Sequence, residues 1–196
     1  KHAPSSSSER SKAIRYMCYG FILAVLLHAA ITLTVYHIYV ADGLPAIFGG
    51  CQIVFQANGQ YRHSEIGLAM PLETVLFIPE FEMPTEEGRS ILPTLIPRGD
   101  AIHNLSRVAL LVNSLKSWRS DSLRWATQDR LHQPYRQAIF PAMGKIFDAA
   151  LAAGASGVFL SGSGSTILAL CSDRSHQVGQ AMLKAGTKEG LKAKII

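Results

Sequence analysis

The sequence predicts an α+β domain over roughly residues 44–196, a mostly antiparallel sheet layered with helices. Short apolar runs bounded by turn residues read as buried strands, notably Thr74–Pro79, Gly157–Leu160 and Thr166–Cys171. Longer stretches with apolar residues three and four apart read as amphipathic helices. Only Ser161–Ser165 separates two of the strands, which suits a tight antiparallel connection and not a crossover.

In chain order, Pro45–Gln56 reads as a strand with Gly49-Gly50 as a bulge or close approach. Asn58-Gly59 is a hairpin turn signal, with Gln60–His63 as the return strand. Thr74–Pro79 is a short buried strand closed by proline. Thr85 is the expected N-cap of a helix with Glu86 and Glu87 in its first turn, stopped by Pro93. Asp100 is expected to cap a longer helix with Ile102, Leu105, Val108, Ala109, Leu111, Val112 and Leu115 on its apolar face. Ser120 or Asp121 caps the next, running to Leu131. Pro141 opens a helix reaching Ala153, and Gly154 ends it. Ser175–Glu189 is the last helix, and Leu191–Ile196 begins a final strand.

Composition narrows the function classes. Apolar residues make up 48% of the 196 and charged residues 17%, enough for a packed core. The formal charge is +5, but no Lys/Arg stripe alternates with aromatics, which argues against nucleic-acid binding. Cys18, Cys51 and Cys171 are far apart in apolar runs and read as buried reduced thiols, with neither a disulfide nor a zinc framework.

The amino-terminal part has a different texture. Residues 1–15 are polar, with serines at Ser5–Ser8, and read as a disordered start. Residues 16–43 form a hydrophobic segment. Tyr16–Ala41 contains no Asp, Glu, Lys or Arg and exceeds the ~20 residues that cross a bilayer as a helix. The basic residues before it and Asp42 after it would leave the amino terminus in the cytoplasm. The readings that stand are a membrane helix through Tyr16–Val40, a buried helix and strand of a soluble protein, or an extension not native to this domain, such as an organellar presequence.

Three motifs can carry chemistry. Gly154–Leu170 places Gly162 and Gly164 between Ser161, Ser163 and Ser165, with Thr166 following. Glycines let backbone N–H groups approach an anion, and the hydroxyls of Ser161, Ser163 and Thr166 add donors. A plain hairpin turn is the alternative, and the loop satisfies neither the P-loop nor the GxGxxG pattern. Asp129–Arg136, DRLHQPYR, clusters cations at a helix end broken by Pro134, where Arg136 could clamp a carboxylate with a two-pronged fork. His132 reads as a partly buried, satisfied histidine more than as a base. Arg89 lies one helical turn after Thr85, and the alternative is an exposed charge paired with Glu86.

Taken in order, FEMPTEEGRSILP (Phe81–Pro93), DAIHNLSRVALLV (Asp100–Val112), DRLHQPYR with Pro141 beyond it, and AGASGVFLSGSGSTILAL (Ala153–Leu170) resemble the homoserine kinases, a branch of the GHMP small-molecule kinases. The resemblance runs from about Leu44 to Ile196 and is nearest to cyanobacterial and plastid forms. It implies the GHMP carboxy-terminal fold and phosphorylation of the side-chain hydroxyl of L-homoserine by ATP with Mg2+, in threonine biosynthesis. It places Arg89 and Arg136 where that family grips the substrate carboxylate. Gly162, Ser163 and Gly164 fall on its third motif, beside substrate and phosphates, with His132, Ser161 and Thr166 in support. It leaves a homodimer open and implies the cytoplasm or plastid stroma.

The chain departs from the family in two respects. The loop reads SGSGST where the family has SGAGPT, so Ser165 replaces a rigidifying proline. The ATP loop of the form PxxxGLGSSA and the GHPDN-type segment are absent from these 196 residues. The resulting expectation is a fragment of a homoserine kinase, inactive by itself. The alternatives are a membrane-anchored, non-catalytic module binding an amino acid through Arg89 and Arg136, and a relative acting on another alcohol, such as a mevalonate-pathway kinase. DRLHQPYR argues against the last.

Overall fold

The computed structural model describes residues 51–69, 72–117 and 119–196, so the hydrophobic segment 16–43 and the polar start lie outside the described residues. By its contacts the chain divides into two units, Lys1–Gly67 and Leu68–Ile196.

The described part of the first unit is a hairpin of β1 (Gln52–Ala57) and β2 (Gln60–Glu65). Asn58 and Gly59 both adopt positive φ, 54° and 75°, as a two-residue turn matched to the strand twist requires. The return strand runs two residues past the expected His63. Its far end is closed by the Ile66 N–H donating to the Cys51 carbonyl at 2.7 Å.

The second unit contains β3 (Glu73–Pro79), α1 (Thr85–Ser90), α2 (Arg98–Ser117), α3 (Ser120–Ala126), α4 (Gln133–Arg136), α5 (Met143–Ala152), β4 (Gly157–Leu160), β5 (Ile167–Cys171), α6 (Ser175–Lys188) and β6 (Ala193–Ile195). Its four strands lie in the order β4-β5-β3-β6, each pair antiparallel. The α+β, antiparallel architecture is therefore as the sequence predicts.

Strand register sorts the side chains into two faces. Val158, Ala169 and Val75 lie abreast, as do Leu160, Ile167 and Phe77, and both rows join the core with Ile146 and Ala150 of α5 and Val178 and Met182 of α6. Phe159, Leu168 and Leu170 alternate onto the opposite face and are also buried, so β4 and β5 read as continuous apolar runs. Helix α6 lies close on β3 because it carries glycine at 186. A Cβ there would come within 2.6 Å of the Phe77 ring.

Several boundaries differ from expectation for local reasons. Thr85 is the first helical residue and Pro84 occupies the cap position of α1. Helix α2 begins at Arg98, so Asp100 sits in its first turn, where its carboxylate faces Arg130 at 3.5 Å. Helix α3 stops at Ala126, not Leu131, because the Asp129 carboxylate draws off the N–H groups of Leu131, His132 and Gln133. Pro134 does not break a helix end. It lies in the first turn of the separate helix α4, where proline lacks no needed N–H. Helix α5 starts at Met143, two residues after Pro141.

The apolar face expected for α2 is rotated. Asn104, Leu111, Ser114 and Leu115 are buried, while Ile102 and Leu105 are 56% and 59% exposed. Asn104 turns inward because its amide donates to Asp129 at 2.6 Å and accepts the Arg130 N–H at 2.9 Å. Among the described residues no helix is long and apolar enough to cross a membrane. Cys51 and Cys171 are free and buried, and burial first, with nearby carboxylates second, pushes both thiols up to about 12.

Candidate functional site

The three chemistry-bearing motifs converge. They come together where helices α1 and α4 meet the β4–β5 loop.

The loop is closed at its base by the Ser161 N–H donating to the Thr166 carbonyl at 2.8 Å, and it turns internally through the Gly164 N–H and the Ser161 carbonyl at 3.1 Å. Gly162 and Gly164 have φ of 63° and 97°, and a Cβ at Gly164 would collide with Cε of the buried Met83. Ser165, in the position of the family proline, donates its hydroxyl to the Phe81 carbonyl at 2.7 Å, so a hydrogen bond ties the loop where a ring would have stiffened it. Ser161 is buried and Thr166 half-buried at the loop base. The Ser163 hydroxyl meets Thr85 of α1 at 3.3 Å.

Arg136 is 6% exposed, and its guanidinium spans all three segments. Its Nε donates to the Gly88 carbonyl of α1 at 3.2 Å. Its Nη1 donates to the Gly162 carbonyl at 3.1 Å and to His132 Nδ1, also at 3.1 Å. The two-pronged fork expected of Arg136 is therefore spent on the protein through Nε and Nη1, which leaves Nη2. Among the described residues no hydrogen bond of Nη2 stands beside those of Nε and Nη1.

The loop also differs from an anion cradle on this side. The Gly162 carbonyl points at Arg136, and the Ser163 carbonyl lies 3.5 Å from where a Gly88 Cβ would be. Facing α1 and α4 the loop offers oxygens, so positive charge here comes from side chains.

Arg89 is half-buried in the last turn of α1. Burial first lowers the pKa of Arg136. Asp129 opposes that shift, and the nearby positive charge of Arg89 adds to it. The two arginines thus lie within electrostatic reach of each other.

Asp129 is the organising residue that sequence reasoning passed over. Its side chain is 6% exposed, yet it accepts backbone N–H bonds from Leu131, His132 and Gln133 at 3.1, 2.8 and 2.6 Å, and Asn104 adds a fourth donor. Burial alone would raise its pKa. The neighbouring His132 ring, the Gln133 and His132 N–H groups and Asn104 together hold it below the ordinary carboxylate value. Its Oδ1 lies 3.8 Å from His132 Nε2. Gln133 was also missed: its side-chain oxygen accepts the Leu160 N–H at 2.8 Å, linking α4 to the end of β4. A buried polar residue just before a proline-led turn was the available signal for both.

Fold and site together define a class. Residues 106–188 match the family described as GHMP kinases C terminal. Within it, the chain is a relative of the homoserine kinases. It is 43% identical over 150 residues to the homoserine kinase of Synechococcus sp., covering 76% of this chain and 49% of that protein. It is 38% identical over 153 residues to that of Nostoc punctiforme, covering 78% and 50%. Among solved structures, homoserine kinase from Cytophaga hutchinsonii superposes with a TM-score of 0.75 at 26% identity, over 81% of this chain and 50% of that one. L. major mevalonate kinase shares the fold at a TM-score of 0.58 and 15% identity, over 80% of this chain and 52% of that one. The chain spans about half the length of the curated relatives it matches.

Proposed function

We propose that this domain is the substrate-side half of a homoserine kinase, which transfers the terminal phosphoryl group of ATP to the side-chain hydroxyl of L-homoserine in threonine biosynthesis. The observation that carries the reading is Arg136, a buried arginine pinned at three contacts through Nε and Nη1, with Arg89 within electrostatic reach. Nη2 of Arg136 and the guanidinium of Arg89 hold the carboxylate of the amino acid. A ligand placed there lies beside Ser163, which meets α1 through Thr85. Gly162 and Gly164 act by shaping the loop against Arg136 and Met83. Fixing the carboxylate orients the hydroxyl, and phosphoryl transfer gains mainly from positioning and charge stabilisation.

ATP is the donor this reading requires. Among the described residues no group of three or more His, Cys, Asp or Glu is placed to hold a metal ion, and no step is assigned to Mg2+ here. The setting is the cytoplasm or the plastid stroma, as amino-acid biosynthesis implies. The test is formation of O-phospho-L-homoserine from ATP and L-homoserine by the protein purified from its source. Product formation that Arg89→Met abolishes supports the reading, and a purified protein that forms none refutes it.

A further inference from the structure

The contacts behind Arg136 form a chain with a defined proton arrangement. A guanidinium N–H can only donate, so the 3.1 Å contact from Arg136 Nη1 requires a bare lone pair on His132 Nδ1. The ring proton of His132 then sits on Nε2, the nitrogen 3.8 Å from Asp129 Oδ1. Asp129 is itself held by three backbone N–H groups and Asn104, so it is a fixed point in the fold. Asn104 in turn anchors this point to α2.

We propose that Asp129 and His132 are positioning residues for Arg136: the carboxylate holds the imidazole in the Nε2–H tautomer, and its Nδ1 fixes the rotation of the guanidinium so that Nη2 faces the ligand. The proposal deepens, and rests on, the reading of Arg136 as the carboxylate ligand. The Gly88 carbonyl accepts the single Nε proton and the Gly162 carbonyl accepts either proton of Nη1, so these two contacts hold the guanidinium in place without fixing which Nη1 proton goes where. The lone pair of His132 is the third point, and three points define the plane. Protonated at both nitrogens, His132 would instead set an N–H against an N–H of Arg136 and release it.

The test uses the 196-residue chain labelled with 15N at histidine and arginine side chains. The expected spectrum shows His132 protonated at Nε2 and bare at Nδ1, with slow hydrogen exchange at Arg136 Nε and Nη1. His132→Asn places an acceptor oxygen near the position of Nδ1, so slow exchange is retained and the affinity for L-homoserine falls by no more than about threefold. His132→Leu removes the acceptor, speeding Arg136 exchange and weakening L-homoserine about tenfold or more at unchanged circular dichroism. A proton found on Nδ1, or His132→Leu leaving Arg136 exchange as in the wild type, overturns the proposal. Should wild type bind no L-homoserine, the substrate reading fails, while tautomer and exchange still decide the positioning role.

Discussion

Arg136 on α4 donates Nη1 to the carbonyl of Gly162 on the β4–β5 loop, across 3.1 Å and 26 residues of sequence. This bond joins two motifs that have no sequence neighbourhood, and it explains why a nearly buried cation is tolerated. The guanidinium replaces its water with fixed oxygens from Gly88 and Gly162 and the nitrogen of His132. Nη2 takes no part in these bonds, so under the proposed function ligand binding and loop geometry would share a single side chain.

Arg136→Lys keeps the charge but cannot reach Gly88, Gly162 and His132 while presenting a further donor. We expect L-homoserine affinity to fall roughly 10- to 100-fold, the loss of one charge-assisted hydrogen bond of ~1.5–3 kcal/mol. Titration calorimetry on the wild type and the variant measures it. Equal affinities would remove Arg136 from the binding site.

Asp129 makes stability depend on acid in a defined direction. Its folded pKa lies below the ordinary 3.8, so its contribution is present above that value and lost as pH falls through the folded pKa. Asp129→Asn removes this dependence. The variant is expected to be less stable at pH 7, by ~1–3 kcal/mol, with a shallower loss on acidification below pH 4. Urea midpoints at pH 7 and pH 3 for both proteins give the comparison.

Two glycines of the site should respond differently. A Cβ at Gly164 meets Met83 Cε and sits at φ 97°, so Gly164→Ala is expected to cost ~1–3 kcal/mol. A Cβ at Gly88 would be 3.5 Å from the Ser163 carbonyl and 3.6 Å from Arg136 Nε, ordinary contacts, and alanine favours the helix. Gly88→Ala should therefore be neutral or stabilising by up to ~1 kcal/mol. Thermal midpoints of the two variants test the ordering.

Gln133→Leu leaves the Leu160 N–H buried without its acceptor. The expected cost is ~1–3 kcal/mol, and the Leu160 amide should lose hydrogen-exchange protection ahead of its β4 neighbours.

Much of the fold was legible because its signals are local. Val158, Phe159, Leu168 and Leu170 sit in short apolar runs whose length and turn residues specify strands on any sequence reading. Asn58-Gly59 specified its hairpin for the same reason. The three site motifs could be picked out, and a family resemblance placed Arg89 and Arg136 in them. What could not be read was where their hydrogen bonds go. The fork of Arg136 closes on Gly88 and Gly162, 48 and 26 residues away, and no periodicity encodes such partners. The rotation of α2 has the same origin. Ile102 and Leu105 pattern as inward residues, but Asn104 is drawn in by Asp129, 25 residues on, and two polar bonds override the stripe. Helix α3 ends early through that same carboxylate.

The central claim is that Arg89 and Arg136 together hold the carboxylate of L-homoserine. The direct measurement is calorimetric titration of the chain with L-homoserine and with the matching amino diol, in which the carboxylate is reduced to an alcohol. The account predicts saturable binding of L-homoserine, about tenfold or more weaker binding of the diol, and loss of that discrimination in Arg89→Met and Arg136→Lys. Equal binding of the two compounds by the wild type, or discrimination that survives both substitutions, would contradict it.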